Sequence, residues 1–205
     1  MHPNRIFRRE ETTRHLEFVR ETAFGILSVN ADPSPVLSHI PFLISDDGTR
    51  LEAHLVRNNP IAKMLTQGPC PAVIAVQGPF GYISPDWYGM LDQVPTWNYV
   101  AVHLRGTLRA LPDDALFGVL ERISDQMEAR LAPKPVWKME KMTPSVRDQM
   151  MRMIVPVEMD VAEIDGTWKL GQNKPEDARI GAADGLEEAG QGAETTRLAA
   201  LMRSL

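Results

Sequence analysis

Residues 35–56, PVLSHIPFLISDDGTRLEAHLV, hold two strand-like runs, Pro35 to Ser45 and Thr49 to Val56, on either side of Asp47-Gly48. That dipeptide supplies the positive backbone dihedrals a tight hairpin needs, and it is the strongest hairpin signal in the chain. Pro41 cannot donate a ladder hydrogen bond, so the first strand is expected to bulge or lie at a sheet edge there. Upstream, Thr12 to Glu21 spaces Leu16 and Val19 as in a short amphipathic helix and leads into a strand over Phe24 to Val29. Downstream, Pro71 to Gln77 forms a third run that reaches Gly78-Pro79. Asn98 to Ala110 then alternates, with Val100, Val102, Leu104 and Leu108 on one face and Tyr99, His103, Arg105, Thr107 and Arg109 on the other. Half-exposed strands joined by short turns predict an antiparallel barrel or sandwich, because a parallel sheet needs a crossover helix between successive strands.

The rest of the chain adds helices to this mainly β pattern, giving an α+β class. Asp113 or Asp114 caps a helix to about Leu131, and Thr143-Pro144 opens another to about Met153. Val155 to Leu170 reads as a hairpin turning at Asp165-Gly166. After Asn173-Lys174-Pro175 the chain turns helical, and Gly181 to Gly192, rich in Gly and Ala, then reads as a loose linker before a short terminal helix. The expected division is a domain over residues 1–185 and a tail over 186–205.

Composition narrows the function classes. The 205 residues are 43% hydrophobic and 24% charged with a net charge of −5, which describes a globular chain. That balance offers no excess of cations to displace counterions, so a generic grip on nucleic acid is disfavoured and DNA binding would need a local basic patch. The single cysteine, Cys70, permits neither an intrachain disulfide nor a thiolate zinc cage, and points to the reducing cytoplasm. No window reaches the roughly 18 to 20 apolar residues of a membrane span, and Met1 to Glu11 lacks the apolar stretch of a secretory signal. The five histidines show no tight ligand spacing such as HExxH, so no metal site is expected. There is no Gly-x-Ser-x-Gly elbow and no Walker-type loop.

Two constellations carry the chemistry. In HLVRNNPIAKML, residues 54–65, a strand passes directly into a helix start, where Asn58 or Asn59 caps and Pro60 suits the first helical position. Unpaired N–H groups and the positive dipole end gather there, with Arg57 before the cap and Lys63 one turn inside, a pattern suited to phosphate. The same residues also make an ordinary capped helix with two solvated cations. Ser38 and His39, in the other arm of the hairpin, add donors toward the same ligand. The second constellation runs from Tyr82 to Tyr99 and holds two tryptophans and all three tyrosines. Rings between proline-marked bends suit a planar ligand, with Ser84, Thr96 and Asn98 at its polar rim, and equally suit a dimer interface or a loop over the core.

With these residues placed, the order of segments resembles the PaiB-like family of FMN-binding negative transcriptional regulators. The matching phrases are SHIPF (38–42), AHLVRNNP (53–60), QGPFGYISPDWY (77–88), VPTWNYVAVHLRG (94–106) and KLGQNKPEDARIG (169–181). The resemblance implies a split β-barrel like that of pyridoxamine-phosphate-oxidase-type flavin binders, forming homodimers with flavin in clefts between subunits. It implies that Ser38 and His39 lie along the ligand and that His54, Arg57, Asn58, Asn59 and Lys63 form its phosphate end. Ser84, Trp87, Thr96, Trp97, Asn98 and Tyr99 would border the ring system, with Gln172 and Asn173 closing over the site. Gly171 departs from the family phrase, which often carries Ser there. The reading is a dimeric FMN-binding redox or sensing protein, an FMN-dependent oxidoreductase if it turns over. The alternatives are a DNA- or protein-binding repressor with the barrel as scaffold, against which stands the lack of a convincing basic recognition helix, and a haem-binding relative using His39, His54 or His103.

Overall fold

The computed structural model describes all 205 residues. In chain order the elements are α1 (Thr12–Thr22), β1 (Phe24–Val29), β2 (Val36–Ile44), β3 (Arg50–Val56), α2 (Pro60–Met64), β4 (Cys70–Ile83), β5 (Thr96–Ala110), α3 (Leu116–Ala129), α4 (Pro144–Met151), β6 (Ile154–Lys169), α5 (Glu176–Ala189), β7 (Gly192–Ala193) and α6 (Thr195–Arg203). The strands form one seven-stranded antiparallel sheet in the order β1-β2-β3-β6-β5-β4-β7, with β1 also paired to β4. This is the split β-barrel, with helices at its periphery.

The chain divides into two compact units: a barrel unit of Leu16–Val76 and His103–Ile164, and a helical unit of Met1–His15, Gln77–Val102 and Asp165–Leu205. In the barrel unit, period-two alternation sends Leu27, Phe42, Leu51, Leu55, Ile74, Leu104, Leu108 and Met159 inward, all fully buried. Burying each such side chain is worth roughly 1.5–3 kcal/mol. Antiparallel pairing of Ile26–Val29 with Ala72–Ala75 joins β1 to β4. The hairpin forms as its dipeptide predicts, with Gly48 at φ +74°. Strand β2 changes partner at Pro41: Val36–Pro41 pair with β1, whereas Phe42–Ile44 pair with β3. The half of β2 that carries Ser38 and His39 is therefore free of β3, and Pro41 sits where its missing N–H costs least.

In the helical unit the core is formed by Leu170, Ala182, Ala183, Leu186, Leu198, Ala199 and Met202, all fully buried. Arg179, also buried, donates from Nε to Met202 O at 2.8 Å and from Nη2 to Leu205 O at 3.1 Å.

Three local expectations are corrected. Gly78-Pro79 does not end a strand, since β4 continues to Ile83. Asp165-Gly166 is not a turn, since β6 runs unbroken over Ile154–Lys169. Gly166 is required there by close approach: a Cβ would come within 2.3 Å of the His15 ring. The segment expected as a loose linker is largely the body of α5, which reaches Ala189 before an αL glycine, Gly190, ends it. Its small residues seat an indole, because a Cβ on Gly185 would lie 2.5 Å from the Trp87 ring and one on Gly181 would lie 2.7 Å from the Trp87 carbonyl oxygen.

Candidate functional site

The two sequence constellations fall in different units, and each is built locally.

In the barrel unit, β3 delivers the chain to α2 through Arg57 and Asn58, and Asn59 caps the helix by accepting the Ile61 N–H at 2.9 Å. The Asn59 amide also donates to Ser38 Oγ at 3.0 Å, which ties the helix start to the freed half of β2. Lys63 and Asn58 are exposed nearby in sequence. His39 is exposed and stacks on Phe24, with ring centroids 6.4 Å apart. His54 is half-buried, its Nδ1 has no hydrogen-bond partner, and burial lowers its pKa. Arg57 is already engaged: Nε donates to Arg152 O at 3.0 Å, and Nη2 donates to Ile154 O at 3.0 Å and to Asp113 Oδ1 at 3.2 Å. The structure thus brings Ser38 and Asn59 together and occupies the Arg57 fork with carbonyls and a carboxylate. A hydroxyl, two amides and an ammonium remain, a donor set that fits a phosphate ester. His39 leaves β2 on the face opposite Ser38, and His54 leaves β3 on the face opposite the buried Ala53 and Leu55, so the strand alternation keeps both imidazoles out of this set.

In the helical unit, β5 separates residues expected to act together, because adjacent strand residues point to opposite faces. Trp97 packs with Phe80 and Tyr82, each centroid pair 6.0 Å apart, and remains 46% exposed. Tyr99 is half-exposed two residues on, on the Trp97 side of the strand. Phe80 is tilted 45° to Trp97 and Tyr82 meets it edge-on, so the exposed Trp97 indole is the ring available for stacking on a planar ligand. Thr96 and Asn98 turn the other way into a cleft with Tyr88, Lys169, Asn173 and Lys174. Asn98 is buried, with Nδ2 3.5 Å from Met202 Sδ.

Trp87 stands edge-on to Tyr82 at 6.3 Å while packed against α5. Ser84 precedes the 3-10 turn Pro85–Tyr88 without a side-chain cap bond. Gln172 locks its own turn, with Oε1 accepting from Leu170 N at 2.9 Å and Nε2 donating to Trp168 O. Gly171 lies at φ +88°, a conformation in which the serine of the family phrase would be strained. Lys169 and Lys174 were not singled out by the sequence reading. The signal was their spacing in KLGQNK, one lysine ending a strand and the other following its turn.

Comparison with known proteins places this chain. The profile of the family described as "Putative FMN-binding domain" matches residues 1–163. The chain belongs to that family. Among curated proteins it is 32% identical over 162 residues to protease synthase and sporulation protein PAI 2 of Bacillus subtilis, covering 78% of this chain and 76% of that one. This makes it a PaiB-like member of the family. Solved structures share the fold. The FAD and heme binding protein from Mycobacterium smegmatis aligns with a TM-score of 0.58 at 18% identity, covering 86% of this chain and 80% of that chain. The flavocytochrome Anf3 from Azotobacter vinelandii aligns at 0.57 and 13% identity, covering 83% and 73%. No helix is long and apolar enough to cross a membrane.

Proposed function

We propose that this family member binds FMN as a homodimer, with the phosphate end held by Ser38, Asn58, Asn59 and Lys63 of one subunit. In this reading the ring system lies against Trp97 and Tyr99 contributed across the dimer interface. The observation that carries it is the bridging role of Asn59, which holds a strand hydroxyl and a capped helix start in one cluster of donors. The exposed side chains of Phe24 and Leu37, four register positions apart on the same side of the β1–β2 ladder, are apolar contacts suited to a second copy. When bound, the flavin would supply hydride or single-electron transfer. The chain's part is to bind the phosphate, orient the ring on the aromatic face and exclude water there. A sensing role linked to transcription would work through the same occupancy, and is tested by whether specific operator binding changes with FMN at fixed salt.

The direct test compares FMN with riboflavin, which lacks the phosphate, by titrating stripped protein. Lys63→Ala together with Ser38→Ala is expected to weaken FMN about tenfold or more, the loss of charge-assisted hydrogen bonds, while riboflavin changes little. Equal losses for both ligands would remove the phosphate assignment. A sharp Soret band in freshly purified protein would favour haem instead.

A further inference from the structure

Behind β5 lies a cleft whose lining differs in chemistry from the aromatic face of Trp97. It has a volume of about 170 Å³ and lies wholly within the helical unit. A cavity of about 150 Å³ accommodates benzene, so this one takes a single ring or a short chain and is far too small for an isoalloxazine. Two ammonium groups face it, Lys169 and Lys174, and no carboxylate lines it. The hydrogen-bond partners of both are neutral oxygens, Thr96 Oγ1 for Lys169 and Gln93 Oε1 for Lys174. Neither charge is neutralised by these contacts. The aromatic wall completes the design: Lys174 Nζ lies 4.8 Å from the Tyr88 ring centroid and Lys169 Nζ 5.9 Å from that of Phe7. These rings attract the cations weakly and leave their remaining N–H donors for a ligand. Burial, and after it the charge of the neighbouring Lys174, lower the Lys169 pKa.

We propose that this cleft binds a small organic anion, a carboxylate or phosphate head carried on a body no larger than one ring. The head sits between Lys169 and Lys174, and the body lies against Phe7 and Tyr88. The site is separate from the aromatic face of Trp97, because Thr96 and Asn98 leave β5 on the opposite side.

The test is calorimetric titration of the full-length chain with benzoate and, separately, with inorganic phosphate. Benzoate is expected to bind saturably, and the double variant Lys169→Met/Lys174→Met to weaken it at least tenfold. Val94→Trp, at an exposed lining position, should block the cleft without touching either cation. Thermal unfolding of each variant checks that the fold persists, and Lys169→Gln alone replaces the double variant if that one does not fold. FMN affinity, read on the same samples, is expected to stay unchanged, which separates this site from the flavin reading. Absence of saturable benzoate binding, or equal affinity in all variants, overturns the proposal. Uptake of phosphate without benzoate overturns the organic body.

Discussion

Asp47 and Asp165 each precede a glycine, and the two dipeptides do opposite things. The Asp47 carboxylate accepts from Ser45 Oγ at 2.6 Å, Thr49 N at 3.0 Å and Thr49 Oγ1 at 2.8 Å, which closes the β2–β3 turn. These bonds lower its pKa to about 2. The folded value lies below the unfolded one, so the stabilisation is present above the ordinary carboxylate range and is lost as pH falls through about 2. A chemical-shift titration should show that midpoint, and Asp47→Asn should flatten the acid limb of stability. Asp165 instead pairs with Arg8 at 2.9 Å in the middle of β6, where Gly166 makes room for His15. The imidazole accepts the Trp168 indole N–H at Nδ1, 3.1 Å away, so the neutral ring carries its proton on Nε2. Burial lowers the His15 pKa; the stability it supports is intact above 6.5 and declines as pH drops toward the lower folded value. His15→Gln should remove that slope from stability measured between pH 7 and 5. Sequence alone distinguishes these two Asp-Gly pairs poorly, because the deciding contact for Gly166 comes from a residue about 150 positions away.

At the scale of elements, β1 to β3 and the alternation of β5 were legible, whereas the length of β4, the unbroken run of β6 and the extent of the small-residue helix were not. Phe24–Val29 and the β2–β3 hairpin follow from alternation and turn chemistry, both local. Helix α5 carries Gly181, Gly185 and several alanines, which lower its intrinsic propensity, and it exists because tertiary packing against Trp87 overrides that deficit. Gly185→Leu should expel the indole and cost about 1–3 kcal/mol by denaturant titration, with a shift in tryptophan emission. The candidate site divides in the same way. Asn-Pro spacing made a cap at Asn58 or Asn59 legible, the structure uses Asn59, and Asn59→Ala should cost about 1 kcal/mol as a lost cap. The pairing of Arg57 with Asp113 was not, because it joins residues 56 positions apart. Strand alternation was visible at β5, yet its consequence for Thr96 and Trp97 emerges only when a cleft and a ring cluster occupy the two faces.

For the whole molecule, the final helix belongs to a core rather than to an appendage. Leu198, Ala199 and Met202 are fully buried, and Arg179 depends on carbonyls from residues 202 and 205. A chain ending before Glu194 should lose hydrogen-exchange protection over residues 176–189, since a buried guanidinium would be left without its acceptors.

The pairing of Arg50–Val56 with Ile154–Asp160 sets an order on biosynthesis. About a hundred residues must leave the ribosome after the first three strands before β6 can join them, and until then one side of β3 waits unpaired. A nascent chain stalled short of residue 160 should therefore be protease-sensitive across its early strands, and chaperone attention should concentrate on that interval.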